Sequence, residues 1–250
     1  MLDRARSSFI SIAVLIAIWA ILAAALQSRY LPAPLEVFQD LWTELLSGRL
    51  TYHLTATLFR VTAAFVLAMM IGTAIGIALG RSADVNRFFD LWLILALNIP
   101  ALVVIVFCYL WIGLTETAAI VAVALNKIPS TAVTLREGAR ALDPQLDDVA
   151  NIFEYTGWRR FKLFTWPQLE PYFAAAVRSG LALIWKVVLV VELIGRSSGV
   201  GFQINLFFSQ FDLARILVYA LSFMVIIMVI EALIIKPWEK RARGWRGEAS

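Results

Sequence analysis

Long apolar stretches separated by short polar segments dominate this chain. Six of these stretches carry no charged side chain or only isolated ones. A helix needs about 20 mostly apolar residues to cross a lipid bilayer, and each stretch is close to that length. The pattern predicts an all-α integral membrane protein, a single transmembrane domain over residues 1–250, with about six spanning helices near residues 8–27, 54–80, 90–112, 116–136, 172–195 and 213–236.

Composition supports the same class. The chain is 61% hydrophobic and 16% charged, far from a soluble domain, and its mean hydropathy is +0.79. Arg4 and Arg6 before the first apolar stretch resemble the start of a secretory signal peptide. That stretch is longer than the usual apolar core of a signal peptide, about 7 to 15 residues, which favours a spanning helix.

Basic residues are distributed unevenly between the two sides of the predicted helices. Only Arg29, Arg49 and Arg196 fall on one side. The other side receives Arg4, Arg6, Arg81, Arg87, Arg136, Arg140, Arg159, Arg160, Lys162, Lys236, Lys240, Arg241, Arg243 and Arg246. Cytoplasmic loops are enriched in Lys and Arg, so both termini are expected in the cytoplasm. The basic tail after Lys236 then suits a lipid-headgroup anchor, and no nucleic-acid partner is expected.

Glycine and proline mark positions inside the predicted helices. Gly72, Gly76 and Gly80 recur at every fourth residue, a spacing that lets a second helix backbone approach closely. Pro100 and Pro129 are expected to interrupt the third and fourth spanning helices. Helix breaks of this kind favour a transport path over a passive anchor.

The segment between the first two spanning helices contains a stop signal and an amphipathic pattern. The prolines of residues 31–34 end the first helix, and residues 35–46 alternate apolar and acidic side chains at helical spacing. We expect this helix to rest on the outer leaflet. His53, which follows, is expected at the membrane interface and not as a metal ligand, since no second ligand lies at a suitable spacing.

A polar loop over residues 138–170, between the fourth and fifth helices, carries the strongest motif. Asp148-Val149-Ala150, then Glu154, Phe164, Trp166 and Pro167 match every interval of the cytoplasmic motif of binding-protein-dependent ABC importer permeases. Four further segments, residues 31–34, 53–80, 143–144 and 192–201, also resemble the nitrate, sulfonate, taurine and bicarbonate branch of that family.

The resemblance implies a function and a set of partners. It implies a permease subunit, forming a homodimer or a heterodimer in the inner membrane of a prokaryote, that imports a small, anionic solute. Two cytoplasmic ABC ATPase subunits would hold ATP and Mg, an extracytoplasmic binding protein would deliver the solute, and this chain would bind no cofactor. The ATPase would be contacted by Asp148, Ala150, Glu154, Tyr155, Gly157, Trp158 and Pro167.

One departure from the motif affects the loop's geometry. The family has glycine where this chain has Glu154. We expect Glu154 not to adopt a backbone angle reserved for glycine, and Gly157 to provide the turn instead. A second short helix is expected to end before Pro167.

Four ionisable residues lie within predicted spanning helices, where each is costly and therefore a functional candidate. They are Arg60, Lys127, Lys186 and Glu192. One interpretation places them along the path of an anionic substrate. The alternative is structural pairing, which we favour for Arg60 with Glu192, and for Glu192 with Arg196 one turn on. Lys127 and Lys186 have no evident partner, which makes them the better path candidates.

The sequence offers little for catalysis. No glycine is followed by lysine, so the phosphate-binding loop of an ATPase is absent, and no zinc-type spacing occurs. We therefore expect a transport subunit that is not an enzyme and has no metal site. The competing hypothesis is a self-contained secondary transporter or channel.

Overall fold

The computed structural model describes residues 2–26 and 30–238, and these are helical apart from short connections. The α-helices are α1 (Leu2–Leu26), α2 (Pro34–Leu46), α3 (Arg49–Arg81), α4 (Ala83–Asn98), α5 (Ala101–Ile112), α6 (Glu116–Arg140), α7 (Pro144–Ile152), α8 (Gly157–Arg160), α9 (Trp166–Gly195), α10 (Val200–Ser209) and α11 (Leu213–Ile230). A π-helical turn, Phe161–Thr165, joins α8 to α9, and another, Glu231–Ile235, follows α11. The predicted all-α class is confirmed.

Four helical stretches in the described part are long and apolar enough to cross a membrane. They are Arg49–Arg81, Glu116–Arg140, Gly157–Gly195 and Leu213–Trp238. The pair α4 and α5 becomes a fifth if it is counted as one broken span. Helix α1 contributes a shorter apolar stretch, Ile10–Leu26. The count of six stays a prediction, and residue 27 and the basic tail beyond residue 238 lie outside the described residues.

The two prolines behave differently. Pro100 separates α4 from α5, which meet at 95°, as expected. The expected interruption at Pro129 is wrong, because α6 continues through it from Glu116 to Arg140. Pro129 removes one backbone donor, and packing of α3 and α9 against α6 keeps the helix continuous.

Close packing of α3 on α6 forms the centre of the molecule. The glycine stripe of α3 faces α6, as its spacing predicts. A Cβ atom at Gly76 would lie 2.6 Å from the carbonyl oxygen of Ala132, and one at Gly80 would lie 2.5 Å from the Cβ of Ala139. Only glycine fits these positions without moving α6 away.

Other helices complete the core around this pair. Ile105 of α5, Ile184 of α9 and Tyr219 of α11 are fully buried in one apolar cluster with α3 and α6. Helix α2 forms where the amphipathic pattern predicts it and packs on α11. Its Glu44 is 1% exposed and accepts a hydrogen bond from the hydroxyl of Tyr219 at 2.9 Å.

Candidate functional site

A polar cluster joins α3, the start of α6, the end of α9 and the segment before α10. Its centre is Arg60, which is 2% exposed. The guanidinium donates to both carboxylate oxygens of Glu116 at 2.7 Å and to Glu192 at 2.6 Å. It also donates to the carbonyl oxygen and the hydroxyl of Ser198, both at 2.7 Å. We call the group Arg60, Glu116, Glu192 and Ser198 the arginine hub.

The other side of Glu192 is also occupied. Its carboxylate is fully buried and accepts hydrogen bonds from the Thr57 hydroxyl and the Gly201 backbone N–H, both at 2.9 Å. The predicted pairing of Arg60 with Glu192 is therefore present. The predicted pairing of Glu192 with Arg196 is wrong. Helix α9 ends at Gly195, and the extended backbone of Arg196 directs its side chain to Glu116, at 2.5 Å.

His53 lies next to the hub. It is 7% exposed, so its side chain packs inside the protein. Its Nδ1 accepts a hydrogen bond from the backbone N–H of Gly199 at 3.0 Å, and its Nε2 lies 2.5 Å from the side-chain amide of Gln203. The ring therefore holds the start of α10 against α3. Glu116, Ser198 and Gln203 were not predicted from the sequence. The spacing of His53, Thr57 and Arg60, which places them on one helix face, is the signal that points to this region.

The segment predicted to contact the ATPase starts with a capped helix. In the structure it covers residues 143–165, and it is called the coupling loop below for that prediction. The carboxylate of Asp143 accepts a hydrogen bond from the Gln145 N–H at 2.8 Å, and Pro144 occupies the first helical position of α7. At the other end, Tyr155 N–H donates to Ala150 at 2.8 Å and Glu154 N–H donates to Asn151 at 3.0 Å. These two bonds form a Schellman motif, which requires a left-handed residue after the helix.

Glu154 is that left-handed residue, with φ of +52°. It thus adopts the left-handed conformation that glycine favours, and the expectation that it could not is wrong. Gly157 is left-handed as well, with φ of +54°. It therefore provides a second turn and does not replace the turn at Glu154. The left-handed conformation costs a residue with a side chain about 1 to 2 kcal/mol, which the two capping hydrogen bonds offset.

The second helix of the loop does not end before Pro167, as expected. Helix α8, the π-helical turn and α9 form one continuous helix from Gly157 to Gly195. Pro167 lies in the first turn of α9, where Trp166 N–H donates to the Phe161 carbonyl in the π-helical pattern. The loop is therefore continuous with a spanning helix.

The candidate coupling residues divide into a buried and an exposed set. Ala150 is fully buried, and Tyr155 packs against Phe164 with ring centroids 5.3 Å apart. Trp158 is 72% exposed, and Asp148 is exposed too. The loop also exposes two apolar side chains that were not among the predicted contact residues, Ile152 and Phe153.

The two unpaired lysines lie in different surroundings. Lys127 is 2% exposed, and its ammonium donates to the hydroxyls of Ser130 at 2.9 Å and Ser179 at 3.4 Å. Lys186 is exposed and lines a cavity of about 470 Å³ between α9 and α11, together with Glu231. Neither lysine forms an ion pair within the described residues. Of the four ionisable candidates, Arg60 and Glu192 thus form an ion pair with each other, whereas Lys127 and Lys186 pair with no carboxylate within the described residues.

Comparison with known proteins agrees with this architecture. Residues 68–235 match the family described as binding-protein-dependent transport system inner membrane component. The chain is 30% identical over 194 residues to the putative aliphatic sulfonates transport permease protein SsuC of Bacillus subtilis, covering 77% of this chain and 70% of that protein. It is 24% identical over 245 residues to the taurine transport system permease protein TauC of Escherichia coli, covering 95% and 89%.

A solved structure supports the fold independently. A chain of the methionine ABC transporter MetNI in an inward-facing conformation superposes with a TM-score of 0.63, at 16% identity, over 80% of this chain and 98% of that one. The chain is an integral membrane ABC transporter permease. It belongs to the family of binding-protein-dependent transport system inner membrane components, and the predicted branch is confirmed by relatives named for sulfonates, taurine and nitrate.

The backbone strain at Glu154 can be measured. Glu154→Gly should stabilise the purified chain by about 1 kcal/mol, since glycine adopts the left-handed conformation without the Cβ penalty. Glu154→Ala removes the same carboxylate but keeps the penalty, and should leave stability near that of the parent. Thermal unfolding in one detergent compares the three chains. Equal gains in both variants would show that the carboxylate, and not the backbone angle, is unfavourable.

The surroundings of Lys127 predict that replacing this lysine does not destabilise the protein. Lys127→Met should not lower the melting temperature, because it removes a buried ammonium that has hydroxyl partners but no carboxylate partner among the described residues. Arg60→Met is the matched comparison and should cost roughly 3 to 5 kcal/mol, since it leaves buried Glu192 unpaired. Thermal unfolding of both variants checks the contrast. A large loss for Lys127→Met would reveal an acidic partner elsewhere.

Proposed function

We propose that this chain is the membrane-spanning subunit of an ABC importer that moves a small anionic solute, such as a sulfonate, nitrate or carboxylate, into the cytoplasm. The observation that carries the proposal is the family match over residues 68–235. Relatives named for sulfonates, taurine and nitrate support an anion as the solute. A self-contained secondary transporter is not favoured, because members of this family work with separate subunits.

The proposed assembly contains two copies of this chain, which form the pathway between them. Two cytoplasmic ATPase subunits hold ATP and Mg, and an extracytoplasmic binding protein delivers the solute. The basic-residue asymmetry supports cytoplasmic termini and a cytoplasmic coupling loop. This chain itself holds no nucleotide in the proposal.

The coupling loop is the proposed contact with the ATPase. Exposed aromatic side chains in an aqueous loop are typical of an interaction surface, and Phe153 and Trp158 are 68% and 72% exposed. Asp148, Ile152 and Glu154 are exposed beside them. Ala150, Tyr155, Gly157 and Pro167 then act indirectly, by holding the loop's shape.

Charge supports a role for Lys186 in the solute path. Its side chain lines the cavity between α9 and α11 and has no hydrogen bond or ion pair within the described residues. An exposed ammonium at membrane depth lowers the cost of bringing an anion there. Arg60 and Glu192 satisfy each other in the hub, which favours a scaffold role for both. Lys127 is buried, so a solute could reach its ammonium only if α6 or α9 moved.

Reconstitution tests the class of transporter. Proteoliposomes that contain this chain with its ATPase and binding protein should take up a sulfonate only when ATP is supplied. Asp148→Ala combined with Trp158→Ala should abolish both co-purification of the ATPase and uptake. Trp111→Ala is the matched control, because that tryptophan is 79% exposed and lies outside the loop. Uptake by this chain alone, driven by an ion gradient, would support a secondary transporter instead.

The sign of the path charge can be tested separately. Lys186→Gln should reduce uptake of a sulfonate at low concentration about tenfold, since a hydrogen bond to a charged group contributes roughly 1.5 to 3 kcal/mol. Glu231→Gln removes an opposite charge from the same cavity and should preserve or raise uptake. Initial rates over a range of sulfonate concentrations provide the measurement. The reverse order of the two variants would indicate a cationic solute, and two unaffected variants would place the path elsewhere.

A further inference from the structure

A basic cavity lies where α3 ends and α4 begins, beside the end of α6. Its volume is about 600 Å³, and three arginines line it: Arg81, Arg87 and Arg140. All three are exposed, and all belong to the side of the membrane that the basic-residue count assigns to the cytoplasm. None belongs to the coupling loop or to the cavity that contains Lys186.

The positive charge of this cavity is only partly compensated. Arg87 makes no hydrogen bond or ion pair within the described part of the chain. Asp90, the acid in the lining, is paired with Arg136 at 2.6 Å. Glu137 is shared by Arg136 at 3.0 Å and Arg140 at 3.2 Å. An anion that entered would therefore find free guanidinium donors.

An apolar cavity adjoins the basic one along the same helices. Its volume is about 360 Å³, and Leu79 lines both cavities. The lining side chains are aliphatic or aromatic, among them Ile75, Phe89 and Trp92. From Arg87 to Ala96, α4 rises about 14 Å at roughly 1.5 Å per residue, so the apolar part extends from the basic end towards the membrane interior.

We propose that these adjoining cavities together bind one anionic phospholipid of the cytoplasmic leaflet. The phosphate would contact Arg81, Arg87 and Arg140, and an acyl chain would lie against Phe89 and Trp92. Guanidinium groups suit phosphate geometry, and basic pockets between membrane helices are typical sites for anionic headgroups. A soluble anion would use only the basic half, and a zwitterionic lipid would gain little from the three arginines.

The site also contacts the coupling loop. The guanidinium of Arg81 donates to the hydroxyl of Thr165, at the loop's end, at 2.9 Å. A bound lipid would therefore hold α3, α4 and α6 together next to the segment proposed to meet the ATPase. This proposal does not depend on the transported solute.

Lipid binding to the delipidated, full-length chain in detergent provides the test. Native mass spectrometry would measure binding of phosphatidylglycerol, phosphatidylcholine and water-soluble glycerol phosphate. We expect phosphatidylglycerol to bind at least about fivefold more tightly than phosphatidylcholine, and Arg87→Gln to weaken it about fivefold. Lys162→Gln is the matched control, an exposed cation on the same side but outside the cavity, and should have little effect.

A second variant tests the apolar half. Ala78→Phe should fill that cavity and weaken phosphatidylglycerol binding, without changing the weaker binding of glycerol phosphate. Equal binding of phosphatidylcholine, or equal losses in Arg87→Gln and Lys162→Gln, would overturn the proposal. Glycerol phosphate binding as tightly as the lipid would assign the basic cavity to a soluble phosphate. Arg87 has no internal partner, so its variant decides the question even if Ala78→Phe does not fold.

Discussion

A buried guanidinium in a membrane protein must find all its hydrogen-bond acceptors inside the protein. Arg60 meets this constraint completely, since each of the five N–H donors of an arginine has an acceptor in Glu116, Glu192 or Ser198. Those acceptors lie on α6, on α9 and before α10, while Arg60 lies on α3. Three regions far apart in sequence, at residues 60, 116 and 192–198, are therefore joined at one side chain, and moving any of them breaks hydrogen bonds to a buried charge.

The coupling loop is connected to this hub by one helix. The continuous helix that begins at Gly157 ends at Gly195, three residues after Glu192. Its 39 residues span about 58 Å at roughly 1.5 Å per residue. Movement at the loop can therefore reach the opposite end of the protein without crossing a flexible connection. A displacement of the coupling loop would therefore be transmitted along this helix to the arginine hub.

The sequence predicted the features that depend on local pattern. Apolar length predicted the helical membrane class, the glycine spacing of α3 predicted close contact with a second helix, and opposite charges in two predicted spanning helices predicted the pairing of Arg60 with Glu192. The motif intervals fall on the segment that forms α7, a turn and α8. Each of these predictions rests on residues that are close in sequence or on one pair of oppositely charged residues.

The errors concern features that tertiary packing decides. Pro129 leaves α6 intact because neighbouring helices hold it, and Glu154 adopts a glycine angle because the α7 cap favours it. Glu116 was overlooked because an acid in the first turn of a helix is ordinary. Only the three-dimensional structure shows that Glu116 forms ion pairs with both Arg60 and Arg196.

A double-mutant cycle between Arg60 and Glu192 tests the hub most directly. Stability of the parent, Arg60→Met, Glu192→Gln and the double variant would be measured by reversible unfolding in mixed detergent. If the hub joins the helices as described, each single variant is strongly destabilised, and the double variant recovers at least about 2 kcal/mol relative to the sum of the two losses. Losses that add to within about 0.5 kcal/mol would show that the two residues act independently, which would contradict the central role of Arg60.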